Sequence, residues 1–499
     1  MSKVVIIGSG LGGLSCGYIL QKNGYDVTVL EQGSQIGGCL QCFRRKGAKF
    51  ETGMHFIGSA LPGQTMHSVM NYLGLNENVR LSALDTDAYN TVSLAGQNFR
   101  FANGTERFIE QMSSYFPSEK DALCRYVDII NRISAASTLN SLTSIQRDLV
   151  ANTEYQVRSI NEVLDELFKD ELLKKVLVGD LPLYSAEADK TPFTQHAFIM
   201  DFYNQSSFRI VGGSDSIAFS LADSIKAMGG QVLSNKKVVK VHCDDTKATG
   251  VETEDQQFYA GDYIISTVHP NRLLEMLDTK LIRPAFRTRI NSIQQTAGGF
   301  AVYVKFKDGM MPYMNTNFYG YRGDTPWGCE HYTDAEWPKG FLYMHMCHED
   351  KAVWAKSGVI LSYMNIEDVA GWKGTSIGRR GEDYEAFKKE HAERMMAEVE
   401  RYYPGFLASV DSYFTSTPLT YVDYTGTEDG SMYGVAKDIN LGAAGRVPYR
   451  TKIPNLLLAG QNVNSHGMLG VIVGTIVTCS ELVPAETIYK QINDSKRNG

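Results

Sequence analysis

The sequence predicts an α/β protein in which one parallel sheet is assembled from three widely separated strand–turn–helix units. Three observations carry that expectation. Residues 3–31 read as strand, glycine-rich turn, helix and strand; a second α/β unit lies near residues 212–268; and a third starts at Asn455 and runs through a glycine-punctuated loop into a helix. The two long stretches between these units would have to form a second, inserted region.

Lys3–Ile7 is a short β-branched apolar run, as a strand buried on both faces requires. Residues 8–13 form the turn. Residues 14–23 fit a helix, which Gly24 ends, and Asp26–Leu30 is the next strand. Gly212-Gly213 opens a helical stretch through Met228, closed by Gly229-Gly230. Strands follow at Gln231–Leu233 and 238–242, then a strand and turn at 249–257, then Tyr263–Ser266. Residues 455–459 are the last strand, with one helix expected from about Met468 to Gln491. Residues 76–204 are mostly helical by pattern, as in 155–178. Residues 286–439 are rich in aromatics and Met, with strands such as 300–307. No internal repeat or low-complexity tract interrupts the chain. The expected division is residues 1–75, 205–285 and 440–499 in one domain, and 76–204 with 286–439 in another.

Composition removes several classes. Of 499 residues, 43% are hydrophobic and 21% charged, which fits a globular chain and not a disordered one. Lys+Arg 49 against Asp+Glu 56 leaves −7, and neither Arg44-Arg45-Lys46 nor Ser495-Lys496-Arg497 makes a basic stripe, so no nucleic-acid partner is expected. Met1-Ser2-Lys3 runs straight into the first strand, so no targeting peptide is expected. Residues 456–480 contain no Asp, Glu, Lys or Arg. However, Gln461, Asn462, Asn464, Ser465 and His466 interrupt them, and what remains is the length of a buried helix rather than a span. A cytoplasmic protein follows, at most peripheral to a membrane. The 8 Cys, without a secretion signal, read as reduced thiols.

The strongest motif is Gly8-Ser9-Gly10-Leu11-Gly12-Gly13 with Glu31 at the end of the next strand. It follows a strand, opens a helix and meets an acid at the spacing of a dinucleotide fingerprint. Gly8 permits the tight turn, Gly10 lets the backbone approach a pyrophosphate, and Gly13 lets helix pack on strand. The helix N-terminus stabilises phosphate charge, and Glu31 can accept bonds from ribose hydroxyls.

The residues that follow separate the candidate dinucleotides. Gly37-Gly38, then Gly47, then Phe50-Glu51-Thr52-Gly53-Met54-His55-Phe56-Ile57-Gly58 resemble the FAD-binding N-terminus of the phytoene desaturase, carotenoid isomerase and retinol saturase family, within the amine oxidase-like flavoproteins. The resemblance continues through Leu183-Tyr184, Arg209-Ile210-Val211-Gly212-Gly213, Thr417-Pro418-Leu419-Thr420, Gly430-Ser431-Met432-Tyr433-Gly434 and Leu458-Ala459-Gly460-Gln461, so it is global. It implies a Rossmann-like, glutathione reductase-like FAD-binding domain with an inserted α+β substrate domain. It also implies FAD contacts at Gly8, Gly10, Leu11, Gly12, Gly13, Glu31, Gln32, Gly38, Met54, His55, Val238, Gly460, Gln461, Gly470, Val471 and Ile472. Many relatives carry Asp where this chain has Gln461, which can donate to a phosphate as well as accept.

FAD supplies redox chemistry, and the protein supplies orientation and electrostatics. The N-terminus of the helix after Gly467 would stabilise the negative charge of a reduced flavin, and Gly470 and Gly474 share a face that a flat ring could approach. No second complete fingerprint exists, so NAD(P)H would be a diffusible electron donor, or electrons would come from a partner that the sequence does not identify. Met310-Met311-Pro312-Tyr313-Met314 and Asn317-Phe318-Tyr319-Gly320-Tyr321 suggest an apolar, elongated small-molecule substrate. The expected reaction reduces, desaturates or isomerises a conjugated C=C bond of a lipid, with His55, His466 and Tyr433 as candidate acids. Two alternatives stand beside it: an amine or amino-acid oxidase using Lys305 as base, and a non-enzymatic flavoprotein electron carrier. Cys39 and Cys42 have redox spacing but read better as structural thiols. His345-Met346-Cys347-His348 lacks a second ligand cluster, so no metal is expected. Arg379-Arg380 and Lys388-Lys389 read as a solvated face, and no G-x-S-x-G elbow appears.

Overall fold

The computed structural model describes residues 1–137, 154–463 and 465–495. Lys496 and Arg497 of the C-terminal basic run, and Asn464, lie outside them. A five-stranded parallel sheet runs in the order Gln231–Leu233, Asp26–Leu30, Lys3–Ile7, Tyr263–Ser266, Leu456–Leu458. Strands from all three units therefore lie side by side. Val4 and Ile6 face one core with Leu14, Ile19, Ile225 and Ile472; Val5 and Ile7 face another with Val238, Val251 and Leu456. Alternation of a doubly buried strand puts helices on one side. The other side is covered by the antiparallel strands Val238–Cys243, Ala248–Thr253 and Phe258–Ala260.

A second, seven-stranded sheet has the order Val410–Ser416, Gly299–Phe306, Ser357–Tyr363, Gly340–His345, Asn317–Tyr321, Asn90–Leu94, Gln97–Phe101. Its faces differ in chemistry. Phe300, Val302, Val304, Phe318 and Phe341 pack on the helix Glu382–Tyr402. The opposite residues Tyr303, Tyr319, Tyr321, Met344 and Tyr363 meet the helices Lys120–Ala136, Ile160–Leu167 and Phe193–Gln205.

Four expectations need correction. The helix expected over 468–491 is two, Met468–Cys479 and Ala485–Ser495, because Pro484 cannot continue a helix. The stretch 76–204 is not simply helical: Asn90–Leu94 and Gln97–Phe101 form a hairpin. Ala95 (φ 51°) and Gly96 (φ 76°) supply the two left-handed residues that a tight hairpin turn demands. Arg380 is not on a solvated face, since its side chain is 6% exposed and paired with Asp423. Lys388 lies over the Tyr384 ring, 4.9 Å from its centre. Among the described residues no helix is long and apolar enough to cross a membrane.

Three histidines are built into this framework uncharged. His196 sits between the hydroxyls of Tyr126 (2.7 Å) and Tyr184 (2.9 Å). His345 accepts the Met314 N–H at Nδ1 (2.9 Å) and meets the Tyr343 hydroxyl at Nε2 (2.6 Å). Burial pushes both pKa values down to about 3, and that of His348 to about 4. Such a group binds fewer protons folded than unfolded between its folded value and the unfolded value of about 6.5. Stability therefore rises with pH through that window. The thermal midpoint, followed by circular dichroism, is expected to fall steadily as pH is lowered from about 6.5 toward 4, and less steeply in His345→Gln.

Candidate functional site

The turn after the first strand is shaped by contacts that only glycine allows. Gly8 has φ +98° and its N–H donates to Leu30 O at 2.8 Å. A Cβ on Gly13 would lie 1.9 Å from Gly8 O, and one on Gly12 would lie 3.0 Å from Gly460 Cα. Gly10 differs: a Cβ there would enter open space, and its backbone is extended (φ −63°, ψ 176°). Gly37 donates to Ser9 O (3.1 Å), and Gly38, at φ +54°, stands against Gly10 Cα. Two glycine pairs thus converge where the first helix begins, with no side chain over Gly10.

Glu31 is 9% exposed and closes this cradle. One carboxylate oxygen accepts from Ser9 N–H (3.0 Å) and Ser9 Oγ (2.6 Å), the other from Gly33 N–H (2.8 Å). Its own N–H donates to Leu233 O, tying the cradle to the second unit. Ser9 is a residue that the fingerprint alone did not single out. Val238 is buried in the core that also holds Ile7 and Leu30, at the start of a strand on the same side. Gln32 is exposed, and Leu11 is partly buried against the helix-side core.

The third unit meets the first here. Gly460 takes φ +94°, Gln461 is half-buried beside it, and Asn462 Oδ1 accepts the Val435 N–H at 3.2 Å. The helix Met468–Cys479 begins at Gly467 with no side-chain cap on its first amides. Val471 lies 3.5 Å from the Cβ position of Gly12. Two expectations for this helix are refined. A Cβ on Gly470 would lie 2.7 Å from Ser465 Cβ, so this glycine accommodates its own loop, and Ile472 turns into the core.

The candidate acids fall in two places. Tyr433 and His466 lie with ring centres 4.5 Å apart, their planes tilted by 31°. Tyr433 donates to Pro182 O (2.7 Å), and His466 Nε2 meets Leu183 O (3.2 Å). Burial, helped by nearby Lys437, lowers the His466 pKa to about 4, so the ring is neutral near pH 7 with its N–H directed at Leu183. Burial also raises the Tyr433 phenol. Both residues therefore spend their protons on backbone carbonyls. His55 stands 3.6 Å from Glu51, with Met54 half-buried before it. His55 lines a small cavity of about 10 Å³ with Phe50, Tyr303 and Met344. A second small cavity, also about 10 Å³, is lined by Pro182, Tyr321, Leu361, Tyr363 and Met432. Both lie on the tyrosine-bearing face of the seven-stranded sheet.

Three other expectations meet the structure here. Lys305 pairs with Asp411 at 3.1 Å and is 29% exposed. Burial raises the Cys39 thiol and pushes that of Cys42 up to about 12, the opposite of a thiolate relay. His345 is spent as described, and His348 is held by Ser357 Oγ at 2.8 Å.

Comparison with known proteins covers nearly the whole chain. A family model described as flavin-containing amine oxidoreductase matches residues 11–478. The human all-trans-retinol 13,14-reductase is 26% identical, over 98% of this chain and 87% of that protein. A chloroplastic prolycopene isomerase of an Oncidium hybrid cultivar is 21% identical, over 98% and 84%. The crystal structure of a fatty acid isomerase from P. acnes that produces CLA superposes with TM-score 0.64 at 14% identity, over 97% and 99%.

The cradle makes two of its glycines separable by experiment. Gly10→Ala is expected to cost at most ~1 kcal/mol of stability while lowering flavin affinity roughly tenfold. Gly13→Ala, which drives a methyl into Gly8 O, is expected to cost about 1–3 kcal/mol. Thermal melts of the apoproteins and flavin absorbance titrations check both.

Proposed function

The chain belongs to the flavin-containing amine oxidoreductase family, and from that premise we propose that it is an FAD-dependent oxidoreductase that saturates a conjugated C=C bond in an elongated apolar polyene. The observation that carries this reading is the junction itself: the loop from the cradle's Gly460 to the closing helix sets His466 against Tyr433, ring centres 4.5 Å apart, and Tyr433 bonds Pro182, which lines a small cavity with Tyr321, Leu361 and Tyr363. The full-length similarity to a retinol 13,14-reductase supports the choice of a polyene and of reduction.

The residues present suit FAD. The open face of Gly10, the amides of the first helix and the Gly37-Gly38 turn would hold the diphosphate, and Glu31 the adenosine ribose. Val238 would meet adenine. Gly460, Gln461, Val471 and the free amides at Gly467–Gly470 would border the ring system, with Met54 and His55 on its other side. Bound FAD would supply two-electron transfer that amino-acid side chains lack. Reduced nicotinamide, entering the same cleft, is the proposed diffusible donor.

The protein's own residues then bind, orient and exclude water. In this proposal residues 76–204 and 286–439 form the substrate domain, inserted between the segments 1–75, 205–285 and 440–499 that form the FAD-binding domain. Tyr303, Tyr321, Tyr363 and Met432 give a flat, apolar lining on which a conjugated chain can lie. The hydrogen bonds from Tyr433 and His466 to Pro182 and Leu183 fix the wall of that lining against the closing helix. A substrate this apolar resides in lipid, so peripheral attachment of a cytoplasmic protein belongs to the same reading.

The test is anaerobic. The purified flavoprotein is reduced with dithionite, freed of excess reductant and mixed with retinoids, carotenoids or unconjugated lipids. Conjugated compounds alone are expected to restore oxidised-flavin absorbance, with products heavier by two hydrogens. A product of unchanged mass would replace saturation by isomerisation. Reduction of the oxidised flavin by amines, with no reoxidation of the reduced flavin by polyenes, would refute the proposal.

A further inference from the structure

A saturation reaction needs a proton as well as a hydride, and the residues carried over by resemblance do not offer one freely: Tyr433 and His466 are engaged with carbonyls. Residues 179–183 carry a different group. Tyr321 donates to Gly179 O (2.7 Å), Tyr363 to Leu181 O (3.3 Å) and Tyr433 to Pro182 O (2.7 Å), while His466 holds Leu183 O. Gly179 is pressed on the sheet, where a Cβ would meet Val92 at 2.5 Å. Every residue of this segment except Asp180 has its carbonyl held by one of these side chains.

Asp180 is 1% exposed, and no other residue hydrogen-bonds either carboxyl oxygen. The hydroxyls of Tyr89 and Tyr319, also fully buried, are unpartnered as well. The groups that face Asp180 are the phenols of Tyr89, Tyr126, Tyr184, Tyr203, Tyr319 and Tyr321, each raised by burial and further by the Asp180 charge. Leaving a buried polar group unsatisfied is costly, and a native fold keeps such groups for a reason. A purely structural carboxyl would have been given the two free hydroxyls nearby.

We propose that Asp180 is a catalytic residue of the saturation reaction, the acid that protonates the polyene carbon. The inference rests on the reading of function above. The hydride equivalent comes from reduced flavin and forms a C–H bond at one end of the conjugated system. The π electron pair is displaced along the polyene. The Asp180 O–H bond breaks and that pair forms the second C–H bond. Flavin ends oxidised, the polyene gains two hydrogens, and the Asp180 carboxylate regains a proton from water on product release. Burial, against a smaller pull from its own backbone amide, raises the Asp180 pKa to about 7, so the proton is present and transferable near neutrality.

Asp180→Asn keeps the shape and removes the acid. Flavin loading and dithionite reduction are expected to match wild type, with single-turnover reoxidation by a conjugated polyene slowed about 10²–10⁴-fold. In the apoprotein, infrared difference spectra are expected to show a protonated-carboxyl C=O band that disappears as pH rises through about 7 and that the variant lacks. Should the variant fail to fold, wild-type reoxidation decides: its rate is expected to fall above pH about 7. Variant reoxidation at the wild-type rate, an unchanged infrared band in the variant, or a wild-type rate flat across that pH overturns the assignment alone. A wild type that no conjugated polyene reoxidises overturns the functional reading and the assignment together.

Discussion

The site depends on one contact: glycine against glycine where the two ends of the chain meet. A Cβ on Gly12 would come within 3.0 Å of Gly460 Cα. That approach brings the N-terminus of the first helix beside the loop that leads to the closing helix. Glu31, at the end of the first unit, locks the same place through Ser9 and Gly33 and ties it to the second unit through the backbone of Leu233. Three segments that begin hundreds of residues apart thus share one small surface. None of them alone carries the geometry, so the cofactor cradle exists only once the parallel sheet is complete.

The second sheet contributes by a simpler device. Strand alternation sends Phe300, Val302 and Val304 to a helix-covered core, and sends Tyr303, together with Tyr319, Tyr321 and Tyr363, to the opposite side. Phenylalanine fills the sealed face, and tyrosine lines the face that borders cavities. The hydroxyls there serve as tethers: Tyr321, Tyr363 and Tyr433 hold three successive points of the 179–182 backbone.

Much of this was legible in the residue order. The parallel strands, the fingerprint and Glu31 follow from local pattern, because a buried strand and a glycine turn each leave a strong short-range signal. The hairpin at Asn90–Leu94 and Gln97–Phe101 was hidden, since Ala95-Gly96 is a weak turn signal and only the structure shows its left-handed backbone. Pro484 is a helix breaker visible in the sequence. Arg380 is buried where local pattern points to solvent, because burial of a charge depends on a partner remote in sequence, Asp423. Asp180 is signalled in the sequence only as one acid within the apolar run Val176–Leu183; its burial depends on elements remote in sequence.

The tether between His466 and Leu183 joins the loop that opens the closing helix to the wall of the apolar interior. That loop cannot shift without either breaking the bond or dragging residues 179–183, and with them Tyr321 and Tyr363. The loop beside the nucleotide cradle and the wall of the tyrosine-lined interior therefore share one hydrogen-bonded joint.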